Sequence, residues 1–172
     1  GGGVIVNGKV VSGFNGAGGE IGHITVDHDE AEQCTCGQYG CLEQYASANA
    51  LIAQTREALE TDRNTVMWEM VEHDLDKVSG GTAFAAARQG DALGKKVVDR
   101  YIEYVGETLT NLTNLFQPEI ITISGGISKE GDFLIEPLQK YVEEHFYCKQ
   151  AFRTQVKAAS LLNDAGIVGA AL

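Results

Sequence analysis

Three cysteines fall within eight residues, in the run Cys34-Thr35-Cys36-Gly37-Gln38-Tyr39-Gly40-Cys41, and His23 stands eleven residues before the first of them. Zinc takes four soft or borderline ligands in a tetrahedron, and three thiolates with one imidazole make a closed structural site. Gly37 and Gly40 let the backbone turn tightly enough for the thiolates to converge. A disulfide, or three unrelated buried cysteines, is the competing account of the same residues. A secreted disulfide framework, however, spreads its cysteines along the chain instead of clustering them, and the cluster favours a metal in a reducing compartment. Cys148 stands apart on a polar stretch and reads as a free thiol. A histidine on a strand is usually structural, but its place ahead of the cysteines makes His23 the fourth ligand. A metal-bound imidazole keeps its second nitrogen protonated, so His23 becomes a fixed donor aimed away from the metal.

The elements that must position these residues follow from turn signals and periodicity. Asn7-Gly8 between Val4-Ile5-Val6 and Lys9-Val10-Val11-Ser12 predicts a hairpin, since both turn positions tolerate positive φ. An interior-looking glycine run feeding a strand reads as a chain that starts in mid-protein; a tag remnant also accounts for the first glycine or two. Phe14–Gly19 reads as a glycine-rich loop, Ile21–Val26 as a short strand and 27–40 as irregular. Ser47 is the expected N-cap of a helix through Leu59, and helices are expected over Thr65–Val78 and Thr82–Gln89. Asp91 caps a long helix whose stripe runs Leu93, Val97, Tyr101, Ile102, Val105, Leu109, Leu112, Leu115 and Phe116, ended by Pro118. Ile120–Ile123 has the look of a buried strand, followed by a turn at Ser124-Gly125-Gly126. A helix over Ile135–His145, a strand near Gln155–Ala159 and a last helix over Gly166–Leu172 complete an α/β domain.

Gly16-Ala17-Gly18-Gly19-Glu20-Ile21-Gly22-His23-Ile24, followed by the Cys-x-Cys-Gly-x-x-Gly-Cys-Leu-Glu run ending at Glu43, closely resembles the signature of the ROK family of repressors and sugar kinases. The resemblance extends along nearly the whole chain, through Ile123-Ser124-Gly125-Gly126-Ile127 to Asp164-Ala165-Gly166-Ile167-Val168-Gly169-Ala170-Ala171. It implies an actin-like, hexokinase-like ATPase (ribonuclease H-like) fold of two lobes, of which residues 1–172 are the C-terminal large lobe and the N-terminal lobe is absent. It also implies that Glu20, His23 and Glu43 contact sugar hydroxyls. Carboxylates suit that task, because each accepts two hydrogen bonds from neighbouring hydroxyls of a pyranose. Glu43 is equally accounted for as a first-turn glutamate favoured by the helix dipole. Residues three apart on a regular strand face opposite ways. Glu20 and His23 therefore share a ligand only if the strand starts late or bends at Gly22.

The family uses the Gly125-Gly126 turn near the adenosine of ATP, although a lone Gly-Gly is commonly just a turn. Gly1–Gly3 would be the tail of a second phosphate-contacting loop. Two other segments imitate site motifs. Gly90–Lys96 (Gly-Asp-Ala-Leu-Gly-Lys-Lys) has the wrong spacing for a P-loop and lacks its Ser/Thr. Asn163-Asp164-Ala165 looks like the family's catalytic-base motif but matches its late Asp-Ala-Gly motif, where Asp164 caps the final helix. The base and the first phosphate loop are expected upstream of residue 1.

The implied activity is ATP- and Mg²⁺-dependent phosphorylation of glucose. The alternatives are a kinase for N-acetylmannosamine, N-acetylglucosamine or fructose, and a sugar-sensing repressor that adds a winged helix upstream. Family members commonly form homodimers or homotetramers through this lobe. A formal charge of −11 repels phosphate backbones and anionic lipid, so neither nucleic acid nor a membrane is an expected partner of this segment. With 44% apolar and 22% charged residues and two prolines, the chain reads as globular and cytoplasmic.

Overall fold

A computed structural model describes residues 1–30 and 32–161. The expected helix over Gly166–Leu172 and the Asp164 cap lie outside the described residues. The chain divides into two compact units, Gly1–Ala50 and Leu51–Leu172. Among the described residues no helix is long and apolar enough to cross a membrane.

In the first unit, β1 (Ile5–Val6) and β2 (Lys9–Val10) pair antiparallel, with Ile5 opposite Val10. Asn7 and Gly8 both take positive φ, 51° and 74°, which matches the right-handed twist of a tight hairpin. The strand expected over Ile21–Val26 is instead a 3₁₀ turn over Ile21–His23, held by His23 N–H donating to Glu20 O at 3.1 Å and Ile24 N–H to Ile21 O at 3.3 Å. Gly19, at φ +91°, and Gly22 supply neither the rigidity nor the side-chain packing that a strand needs. Extended backbone resumes at Ile24, and Thr25 bridges to Cys41. Helix α1 (Glu43–Ala46) follows, and α2 (Ala48–Thr61) leads into the second unit. The Ser47 hydroxyl accepts from Ala50 N–H at 3.0 Å, as an N-cap should.

In the second unit the single helix expected over Thr65–Val78 is broken. It becomes α3 (Met67–Met70) and a separate 3₁₀ turn over Leu75–Lys77. Glu72 and His73 sit in succession at φ 52° and 60°, a left-handed pair that no helix continues through. Helix α4 (Thr82–Arg88) ends before Gly90 at φ +83°. The longest element is α5 (Ala92–Phe116), ended by left-handed Gln117 just before Pro118. The segment that imitates a P-loop is its capped start. Gly106 lets α6 (Asp132–His145) approach, since a Cβ there would stand 2.6 Å from the Tyr141 ring. The core holds Phe84 of α4, Val97 and Tyr101 of α5, and Leu134, Leu138 and Val142 of α6.

Strands β3 (Ile120–Ile123) and β4 (Gln155–Ala158) pair in parallel, with Ile121 opposite Val156. Two expectations fail nearby. Ile120 is 46% exposed, and the end of the α5 stripe is uncovered, with Leu115 at 74% and Phe116 at 51%. α5 runs about 37 Å and α6 is shorter, and among the described residues β3 has one strand neighbour, β4.

The Asp91 carboxylate stitches this unit together. It accepts from Gly94 N–H at 2.8 Å, the Thr65 hydroxyl at 2.9 Å and Val66 N–H at 3.0 Å. Partial burial pushes its pKa up, but these hydrogen bonds outweigh burial and hold it below the ordinary 3.8. A depressed folded-state pKa contributes stability that is present above 3.8 and is lost as pH falls through the folded value. Asp91→Ala is expected to cost about 1–2 kcal/mol at neutral pH. Urea unfolding at several pH values checks this: the gap to wild type should close on acidification, and a gap independent of pH would refute the account.

Candidate metal centre and adjoining carboxylates

The metal-type residues lie entirely within the first unit. Cys34 N–H donates to Gln38 O and Gly37 N–H to Cys34 O, both at 2.8 Å, closing a tight turn that needs Gly37 at φ +89°. Gly40 is obligatory: at φ +66°, a Cβ there would stand 1.6 Å from Asp27 O. Gln44 ties the loop down, its Oε1 accepting from Cys41 N–H at 3.2 Å and its Nε2 donating to Glu32 O at 2.9 Å. The Tyr45 hydroxyl donates to Glu30 Oε2 at 2.6 Å. Burial first, and then the Glu30 and Asp27 carboxylates, push that phenol's pKa far up.

The result is convergence. His23 Nδ1 lies 3.7 Å from Cys34 Sγ, and Cys36 Sγ lies 3.6 Å from Cys41 Sγ. All four donor atoms are within 4.8 Å of one another. Ligands about 2.3 Å from a tetrahedral ion are about 3.8 Å apart, so the residues present fit one metal ion. All four cysteines are free thiols.

The thiols are inequivalent. The Cys36 backbone N–H, helped by its neighbours' side chains and opposed by burial, lowers Cys34 to about 7. Burial, with the adjacent sulfurs, raises Cys41 to about 12. One thiolate therefore forms readily and another resists ionisation unless a cation compensates. Because Nδ1 faces the sulfurs, Nε2 is the imidazole nitrogen left to act as a donor.

One of the expected carboxylates, Glu43, lies against the His23 turn. His23 N–H donating to Glu20 O makes residues 20–23 a turn and not a strand, so the strict alternation that would set Glu20 and His23 on opposite faces does not apply. Glu43 is the first residue of α1, and a Cβ on Gly22 would stand 3.7 Å from its Oε2. The Glu43 carboxylate thus lies over Gly22, between Glu20 and His23 in the chain. Leu42 N–H donating to Ile24 O at 2.9 Å locks α1 to this turn. Sequence reasoning missed Gln44 and Tyr45, which reach Glu32 and Glu30, twelve and fifteen residues back along the chain.

In the second unit, Gly125 takes φ 85° and ψ −174°, a conformation reserved for glycine, and the Ser128 hydroxyl donates to its carbonyl at 2.6 Å. Among the described residues nothing stands within 4 Å of a Cβ placed on Gly125 or Gly126. Among the described residues the turn is open to close approach.

A family model described as ROK family matches residues 1–172. The chain belongs to the ROK family. The glucokinase of Halalkalibacterium halodurans is 38% identical over 172 residues, covering 98% of this chain and 51% of that protein. The xylose repressor of Caldicellulosiruptor bescii is 27% identical, over 98% of this chain and 42% of that protein. Among solved structures, a ROK family glucokinase from Streptomyces griseus in complex with glucose and AMPPNP matches with TM-score 0.88 and 32% identity, over 98% of this chain and 55% of that one. The mixed α/β chain thus has the ROK sugar-kinase fold, actin-like in class, and spans about half the length of the glucokinases it matches.

Proposed function

We propose that this chain is the C-terminal large lobe of an ATP-dependent sugar kinase that phosphorylates glucose at its 6-hydroxyl. The observation that carries the proposal is Glu43 Oε2 lying against Gly22, the chain neighbour of a histidine whose Nδ1 stands 3.7 Å from Cys34 Sγ in the four-donor cluster. Zinc is the proposed ion, because three thiolates and an imidazole suit it and leave no open coordination position. Its part is structural: it fixes the ring of His23 and the start of α1. His23 Nε2–H then donates to one sugar hydroxyl while the Glu20 and Glu43 carboxylates accept from others. That grip aligns the 6-hydroxyl with the γ-phosphate of ATP, and alignment is a large part of phosphoryl-transfer catalysis. The open Gly125-Gly126 turn is the proposed adenosine contact. Mg²⁺, arriving with ATP, neutralises phosphate charge, and the general base belongs to the other lobe. The setting is the reducing cytoplasm, and the assembly is a homodimer or homotetramer, read by sedimentation of the full-length protein.

The test is a coupled assay of the full-length protein with glucose, fructose, N-acetylglucosamine and N-acetylmannosamine. Glu43→Gln should raise the KM for the sugar about tenfold or more, as loss of a charged acceptor does, while the KM for ATP stays put. An unchanged sugar KM would remove Glu43 from the site. The matching xylose repressor supports a second reading, a sugar sensor. Under it the full-length protein binds sugar without turnover and carries a winged helix where the kinase has its phosphate loop.

A further inference from the structure

The four donors of the metal centre are not equally shielded: Cys34 is 5% exposed and Cys41 is 0%, while Cys36 lies exposed at the tip of the loop. An accessible sulfur beside a second sulfur that can resolve it is the arrangement of a thiol oxidation site. We propose that Cys36 is an oxidative modification site through which hydroperoxides open the metal centre; this rests on the zinc reading above.

The chemistry balances within the loop and one peroxide. The Cys36 sulfur attacks a peroxide oxygen, the O–O bond breaks, and hydroxide leaves from hydrogen peroxide. Cys36 becomes a sulfenic acid, two electrons having passed to the peroxide. Cys41 Sγ, 3.6 Å away, then attacks that sulfur, and a second hydroxide leaves as the S–S bond forms. Two thiolates and one hydrogen peroxide thus give one disulfide and two hydroxides. The centre loses two of its four ligands in a single event, leaving Cys34 and His23.

The consequence reaches the carboxylates through bonded neighbours. Cys41 is two residues before Glu43, bridges to Thr25, and places its Sγ 3.8 Å from His23 O. Redirecting Cys41 toward Cys36 releases the His23 ring and the start of α1 together. Oxidation of one exposed sulfur is thereby coupled to the residues proposed to grip the sugar.

The experiment uses the zinc-loaded chain, hydrogen peroxide and a chromogenic zinc chelator, with non-reducing peptide mapping. Near-stoichiometric peroxide should release the bound zinc and yield a Cys36–Cys41 linked peptide, and dithiothreitol with added zinc should reverse both. Cys148→Ser should behave as wild type, because Cys148 takes no part. Cys36→Asp keeps an oxygen ligand but removes the reactive sulfur, and should slow peroxide-driven release at least about tenfold. Release that coincides with any pairing other than Cys36–Cys41, or with none, overturns the proposal. So does zinc retained on a chain with unmodified Cys36. A chain that never takes up zinc sinks the zinc reading itself, a distinguishable result.

Discussion

Replacing Cys41 with serine is expected to empty the metal centre and unfold the Gly1–Ala50 unit while the second unit stays folded. The reason is how little else holds that unit. Among its described residues, the buried apolar side chains are Cys34, Cys41, Tyr45 and Ala50, and two of these are proposed ligands. The hairpin contributes little, since Ile5 and Val10 are 72% and 70% exposed. A segment with so small a core does not offset its conformational entropy unaided. A structural zinc contributes roughly 10–16 kcal/mol of apparent binding energy, comparable with the whole stability of an ordinary domain. Serine offers a weak, protonated oxygen in place of a thiolate, and Cys41 is the donor with no solvent exposure at all. The measurement pairs elemental analysis with hydrogen exchange. Wild type should carry about one zinc per chain and protect the amides of Cys34, Gly37, Val26 and Leu42, which hydrogen-bond within the loop. Cys41→Ser should lose the metal and this protection but keep that of α5 and α6, which have their own core. A wild-type chain without metal, or a variant whose loop stays protected, would refute this account.

The parts legible beforehand are those where local chemistry decides. Asn7-Gly8 admits one kind of turn, Asp91 and Ser47 cap the helices they precede, and a Cys-x-Cys-Gly-x-x-Gly-Cys run has few uses besides a metal loop. The four proposed ligands were legible for that reason, and their donor atoms lie within 4.8 Å of one another; Glu43 was singled out only through the family resemblance. What was illegible depends on contacts that spacing does not encode. Ile21–Val26 has the composition of a strand, yet the flanking glycines and the pairing of Thr25 with Cys41 leave three of its residues in a 3₁₀ turn. That error concealed the turn that joins Glu20 to His23. Met67, Val71 and Val78 suit one helix, but the left-handed pair Glu72-His73 splits it, and neither residue type announces such a backbone. Leu115, Phe116 and Ile120 follow the apolar pattern of a buried surface but stay exposed. Periodicity reports which face an element offers; it says nothing of whether a partner covers it.

The isolated 172-residue chain is expected to phosphorylate no glucose. Phosphoryl transfer needs positioning and charge stabilisation from both sides of the cleft. On the two-lobed reading proposed above, this chain supplies the sugar grip of Glu20, His23 and Glu43 and the open Gly125-Gly126 turn. The base and the first phosphate loop come from the other lobe. A general base alone is worth roughly 10²–10⁴ in rate, and loss of phosphate contacts removes more. Turnover should therefore fall at least about 10⁴-fold below that of the full-length protein. Sugar affinity should fall too, because lobe closure is what excludes water from the hydroxyl contacts. The assay is ATP–glucose turnover coupled to a dehydrogenase, with a mock-purified control for contaminating kinase. Adding the N-terminal half as a separate polypeptide should restore activity, and restoration should depend on Glu43, which ties the recovered rate to this chain. The decisive arm is Asp164→Asn. If the isolated chain turns over above background and that substitution abolishes it, the base lies in Asn163-Asp164-Ala165 and the division between lobes is wrong. If the complemented pair is active and Asp164→Asn leaves its rate unchanged, the base lies in the added half.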